Sequence, residues 1–183
     1  MKITPTRLHD VMVVETPLLI DDRGAFSRLF CTNELTDIIG QRRIVQINHS
    51  RTHAPGAVRG LHYQRPPRAE MKFVRCIRGR VWDVVVDLRA GSPTFLQWHA
   101  EELSAGSSRM LIVPEGCAHG FQVLDLDSEM LYLHTAFYEP SFEGGLHCND
   151  PRLAITWPMP VTELSDADSR RPFITEDFSG LSA

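Results

Sequence analysis

Short β-branched runs, cut by glycine and proline at intervals of about ten residues, constrain this chain more than any other feature. The clearest run is Val81-Trp82-Asp83-Val84-Val85-Val86-Asp87-Leu88. On a period of two, Trp82, Val84, Val86 and Leu88 share one face, and Asp83 and Asp87 share the other. Similar strands are predicted near 11–15, 43–50, 58–64, 71–78, 95–103, 109–113, 119–125 and 129–136. Pro55-Gly56, Pro66-Pro67, Arg78-Gly79, Gly91-Ser92-Pro93 and Pro114-Glu115-Gly116 mark the turns between them. In the first half only Asn33 to Ile39 reads as a helix, with Thr32 or Asn33 to cap it. The last ~25 residues turn polar and are expected to pack as short helical or irregular structure. There is no internal repeat and no low-complexity linker. The pattern predicts an all-β sandwich or barrel with short peripheral helices.

Composition narrows the partners. A length of 183 residues suits one domain with a real core. The net charge is −4 and no basic face stands out, so nucleic acid is not the expected main partner. It still allows a small anionic ligand, which needs only a few local cations. Cys31, Cys76, Cys117 and Cys148 are scattered, with no C-x-x-C pair, so neither a zinc knuckle nor a disulfide framework is expected. The start, Met1-Lys2-Ile3-Thr4-Pro5, carries no apolar signal region, and no uncharged run nears the ~18 residues of a membrane span. A cytoplasmic protein without membrane contact is the expectation.

Two of the eight histidines have informative settings. His62 follows Gly60 on the predicted strand 58–64, and His119 closes Pro114-Glu115-Gly116-Cys117-Ala118-His119, a P-x-G-x-x-H turn before a strand. That segment resembles the second half of the cupin signature. The first half, in metal cupins, reads H-x-H followed by Glu. Here it reads His62-Tyr63-Gln64, and Gln is a poor substitute for an imidazole ligand. His62, Glu70 and His119 leave the set incomplete, so a metal-free site without cofactor is expected.

Eight segments, in order across roughly residues 20 to 170, carry a more specific likeness. They are Asp22-Arg23-Gly24-Ala25-Phe26, Gln46-Ile47-Asn48-His49-Ser50, Arg59-Gly60-Leu61-His62-Tyr63-Gln64, Lys72-Phe73-Val74-Arg75-Cys76, Val84-Val85-Val86-Asp87-Leu88-Arg89, Ser92-Pro93-Thr94-Phe95, Pro114 to Phe121, and Asn149-Asp150-Pro151 running to Trp157-Pro158. The chain resembles the dTDP-4-dehydrorhamnose 3,5-epimerase family.

The resemblance implies a cupin double-stranded jelly roll, one domain over 1–183, and a dTDP-linked 4-keto-6-deoxy sugar as substrate. A ketone acidifies the carbons beside it. Inversion there needs a base, an acid on the opposite face and a partner for the enolate oxygen. His62 matches the family's base, and an imidazole titrates near ~6.5, which suits proton abstraction near neutrality. Asp168 matches the carboxylate that orients it, with Asp166 as competitor. Tyr132 matches the acid. Lys72, in an apolar strand, needs an anionic partner, which an enolate oxygen or a phosphate would supply; otherwise it is an outward-facing strand lysine. Arg23, Arg59, Gln46, Ile47, Asn48 and His119 match positions that bind diphosphate or sugar. Phe26 and Tyr138 match aromatic positions near the nucleobase, and Glu143 a further ligand-side position. A homodimer formed by strand exchange near the N-terminus is implied too.

Three positions depart from the family pattern: Arg28 for an acidic residue that reads the base, Ala167 for Lys, and Leu133 for Lys. They bear on which nucleotide sugar is used and on whether one carbon or both are inverted. An epimerase of a single carbon, a metal cupin oxygenase or isomerase, and a non-catalytic nucleotide-sugar module are the other readings. One geometric expectation is sharp. On a regular strand Arg59 and His62 face opposite ways, so both reach one pocket only if Gly60 marks a bulge.

Overall fold

The computed structural model describes residues 1–182. Thirteen strands run as β1 (Lys2–Pro5), β2 (Met12–Glu15), β3 (Leu18–Asp21), β4 (Gly24–Ser27), β5 (Gln46–Thr52), β6 (Val58–Gln64), β7 (Lys72–Arg78), β8 (Arg80–Asp87), β9 (Trp98–Ser104), β10 (Arg109–Val113), β11 (Cys117–Val123), β12 (Ser128–His134) and β13 (Glu143–Gly145). A six-stranded sheet has the order β1-β2-β10-β7-β12-β5, and a five-stranded sheet the order β13-β6-β11-β8-β9. From β6 onward the chain changes sheet at every connection except the hairpin β8–β9. The named strand pairs are antiparallel. This is the double-sheet jelly roll of the cupin type.

Three apolar layers hold the fold. Between the sheets lie Val74, Cys76, Leu111, Val113 and Met130 from one side and Val81, Val85, Phe121 and Val123 from the other. Burying each large aliphatic side chain contributes about 1.5–3 kcal/mol. On the outside of the six-stranded sheet, Leu35 and Ile39 cover Phe73, Met110 and Ile112. On the outside of the five-stranded sheet, Leu153, Ile174, Phe178 and Leu181 cover Leu61, Val84 and Val86. The C-terminal segment therefore wraps the barrel, as its composition predicts.

One expectation is corrected. The predicted helix 33–39 is a single turn, α1 (Thr36–Ile39), with Leu35 at its N-cap and no side-chain cap bond. Neither Thr32 nor Asn33 caps it; the Thr32 carbonyl instead accepts from Thr36 Oγ1 at 3.0 Å. Its stability comes from burying Leu35 and Ile39, four residues apart on one face. The Asp face of β8 is turned into the barrel, and Asp83 and Asp87 are fully buried. Each is tolerated because it is hydrogen-bonded: Asp83 by His119, and Asp87 by Arg89, Ser92 and Thr94.

The bulge expected at Gly60 is present. β6 pairs His62 with His119 and Arg59 with Phe121, so β6 sets two residues against one of β11. Gly60 has φ of +112°, and a Cβ there would lie 2.6 Å from the Gly120 Cα. Only glycine fits, and the bulge turns Arg59 and His62 to the same cavity. Among the described residues no helix is long and apolar enough to cross a membrane.

Candidate active site

A cavity of about 750 Å³ opens between the two sheets. β6 and β11 of the five-stranded sheet supply Arg59, His62, His119 and Phe121. β5, β7 and β12 of the six-stranded sheet supply Ile47, Asn48, Ser50, Lys72, Tyr132 and His134. Tyr138, Glu143, Asp168 and Arg171 close its rim.

His62 Nε2 stands 2.5 Å from Asp168 Oδ1. Asp168, and not Asp166, makes this contact. It sits in the short helix α2 (Asp166–Ser169), whose N-cap Ser165 accepts from the Asp168 backbone N–H at 3.0 Å. The Gly60 N–H donates to Asp168 Oδ2 at 3.4 Å. Burial pushes this carboxyl up, but the hydrogen bond and charge of His62 outweigh it and hold it below its ordinary value. An ionised carboxylate only accepts, so the hydrogen of His62 sits on Nε2 and Nδ1 keeps the lone pair.

Opposite, the Tyr132 hydroxyl lies 2.9 Å from Ser50 Oγ. Burial drives its pKa upward, so the phenol stays protonated at neutral pH. Lys72 is buried, with Nζ donating to the His62 carbonyl at 3.3 Å and pairing with Glu70 at 3.2 Å. It is thus not an outward-facing lysine. His119 Nε2 is held by Asp83 at 2.9 Å. Burial raises the Asp83 carboxyl, opposed by the charge and hydrogen bond of His119. At the rim, the Tyr138 hydroxyl donates to Glu143 at 2.6 Å, and Arg171 pairs with the same carboxylate. Gln46 adjoins rather than lines the cavity, donating to Asn48 and accepting from the Tyr138 N–H.

Gln64 explains why the metal-cupin pattern fails here. Its amide donates to the carbonyls of Arg68 and Phe137 and accepts from the Glu139 N–H, so it ties loops together. His62, Glu70 and His119 are each committed to a different partner. Among the described residues no group of three His, Cys, Asp or Glu side chains converges as a metal site.

Two predicted ligand residues lie elsewhere in this chain. Arg23 and Phe26 belong to the ribbon β3–β4, which forms its own two-stranded sheet. Arg23 is exposed and pairs with Asp21, and Phe26 is 66% exposed. The ribbon keeps them out of the cavity lining of their own chain. Asp83, Ser50, His134 and Arg171 also line or support the cavity, beyond the residues expected from the sequence. Period two could have found three of them: Asp83 shares the inward face of β8, His134 follows Tyr132 by two, and Ser50 follows Asn48 by two.

Fold and cavity together define a jelly-roll protein with titratable side chains on two facing walls of one cavity. Residues 5–176 match the family model for dTDP-4-dehydrorhamnose 3,5-epimerase. The dTDP-4-dehydrorhamnose 3,5-epimerase of Salmonella typhimurium is 40% identical over 178 residues, covering 96% of this chain and 97% of that one. The dTDP-4-dehydrorhamnose 3-epimerase of Streptomyces niveus is 36% identical, covering 96% and 85%. The structure of the 3,5-epimerase of Legionella pneumophila in complex with dTDP-4-keto-L-rhamnose superposes with a TM-score of 0.89 at 37% identity, covering 94% and 92%. The chain belongs to the dTDP-4-dehydrorhamnose 3,5-epimerase family and is an isomerase.

Proposed function

We propose that this enzyme inverts carbons 3 and 5 of a dTDP-linked 4-keto-6-deoxyhexose, giving dTDP-4-dehydrorhamnose. One observation carries the reading: a carboxylate-backed imidazole and a protonated phenol enter one cavity from opposite sheets. His62 Nδ1 takes the proton from the carbon beside the ketone. The electron pair moves into the ring and the ketone oxygen becomes an enolate, which Lys72 receives. The enolate collapses as Tyr132 delivers its hydroxyl proton from the opposite face. The phenolate left behind is met by the Ser50 hydroxyl and regains a proton from solvent; His62 returns its own proton to solvent. The steps repeat at the second carbon with no change of oxidation state.

Arg59, His119, Gln46, Ile47 and Asn48 serve the diphosphate or sugar, with Tyr138 near the nucleobase and Glu143 as a further ligand-side group. Arg23 and Phe26 serve the cavity of a partner subunit in a homodimer. In support, the ribbon that carries them exposes Leu18, Leu19, Ile20 and Phe26 together, an apolar patch suited to a partner. Residues 1–183 act as one domain, since the segment that brings Asp168 to His62 also packs on the five-stranded sheet; Ala183 lies outside the described residues. The four free thiols suit a reducing, cytoplasmic setting.

The family contains enzymes named for carbon 3 alone, so inversion of a single carbon is the second reading. Incubation of dTDP-4-keto-6-deoxyglucose in deuterated water, followed by NMR, separates the two. Solvent deuterium at both carbons is expected; deuterium at one carbon only would establish the second reading.

A further inference from the structure

Glu70 and His134 have no role in the chemistry above, yet both stand beside it. Glu70 precedes β7, and its carboxylate is 8% exposed. It accepts from two groups at once: Lys72 Nζ at 3.2 Å and His134 Nδ1 at 2.7 Å. His134 ends β12, two residues after Tyr132, with its side chain 10% exposed. Its ring stacks on that of Tyr132, centroids 6.2 Å apart and 28° between planes. Its Nε2 lies 3.3 Å from Asn48 Nδ2. Burial pushes the Glu70 carboxyl up, but the His134 hydrogen bond and the Lys72 charge outweigh it and keep the group ionised. A carboxylate accepts only, so His134 carries a hydrogen on Nδ1.

We infer that Glu70 and His134 are positioning residues: Glu70 anchors the Lys72 ammonium at the cavity wall and, through Nδ1–H, fixes the His134 ring against Tyr132. The inference rests on the reading above, in which Lys72 and Tyr132 act on the enolate. A lysine stem is flexible, and a buried ammonium must have an anionic partner before substrate arrives. Glu70 supplies that partner while leaving Nζ at the cavity. The ring stacked on Tyr132 limits where the phenol can move. The charged and titratable groups facing His134 are few. Glu70 and Lys72 approach from the β7 side and Tyr132 from its own strand, whereas β5 presents only the amides of Gln46 and Asn48. Arg59, His62 and His119 stand on the opposite sheet.

Glu70→Gln tests this with little change of shape. Gln has one acceptor oxygen where Glu has two, so it cannot accept from Lys72 and His134 equally. The expected result is a fall in kcat of about tenfold or more, since small misplacements of reacting groups are costly. KM and the Kd for dTDP should stay within about threefold. In the free enzyme, 15N NMR should show the His134 hydrogen moving from Nδ1 to Nε2, a shift that mere loss of stability would not produce. Should this variant not fold, His134→Phe keeps a flat ring, removes the Nδ1 donor and is read by the same kcat and KM split. An unchanged tautomer with kcat within threefold of wild type would overturn the inference. So would equal losses in kcat and in dTDP affinity, which would make the pair a binding group. His62→Ala serves as control: its activity lost while Glu70→Gln is unaffected sinks only the positioning role, whereas activity kept in His62→Ala sinks the reaction assignment.

Discussion

A single short contact, His62 Nε2 to Asp168 at 2.5 Å, decides which imidazole nitrogen is left free for the role of base proposed above. Asp168→Asn replaces an obligate acceptor with an amide that can also donate, so the imidazole is free to take the wrong tautomer. The variant is expected to lose about a hundredfold or more in kcat, with dTDP binding within about threefold, measured by steady-state kinetics and calorimetry. The sign of the pH effect follows from the depressed carboxyl. Its folded value lies below that of an ordinary aspartate, so its stabilisation is complete above the ordinary value and is lost as pH falls through the folded one. The stability gap between wild type and Asp168→Asn should therefore shrink only in strong acid. At this scale the sequence was partly legible. His62, Tyr132 and Lys72 stood in recognisable segments, but the meeting of His62 with Asp168 spans 106 positions and no local pattern encodes it.

Elements with an apolar period of two were easy to read. The runs 58–64 and 109–113 coincide with β6 and β10, and the other predicted strands match within a few residues. The missed strands have physical reasons. β1 contains Pro5 and is exposed throughout, β3 and β4 expose both faces, and β13 includes two glycines that read as a turn. β9 starts at Trp98, later than expected, because Leu96 adopts a φ of +59° in the turn before it. Gly60 is the element-scale feature that matters most for function. Gly60→Ala places a Cβ against the Gly120 backbone at a φ that side chains avoid. A loss of about 2–3 kcal/mol in denaturant unfolding is expected, together with a rise in KM as Arg59 and His62 lose their common direction.

At the scale of the whole molecule, the jelly roll separates the proposed base and acid onto different sheets, and the ribbon β3–β4 holds Arg23 and Phe26 outside the cavity of their own chain. Shared sites in a two-fold dimer make a counting prediction. His62→Ala and Arg23→Ala proteins, each weakened alone, should on co-expression form mixed dimers with one intact site of two. Activity should then return to about one quarter of wild type, because half the dimers are mixed. No recovery above the single variants would place Arg23 outside the site. The proposed dimer and the ribbon's part in it were the least legible in the residues themselves, since no single-chain pattern marks a residue that would serve a neighbour.

In the proposed reaction His62 and Tyr132 work on opposite faces of one enolate. Proton exchange and inversion can be followed separately, by NMR of dTDP-4-keto-6-deoxyglucose in deuterated water with wild type, His62→Ala and Tyr132→Phe. Exchange with inversion is expected for wild type and neither for His62→Ala. For Tyr132→Phe the expected result is exchange at retained configuration with inversion reduced about a hundredfold or more, because the base still takes and returns protons on its own face. Inversion by His62→Ala at the wild-type rate, or inverted product carrying no solvent deuterium, would contradict it.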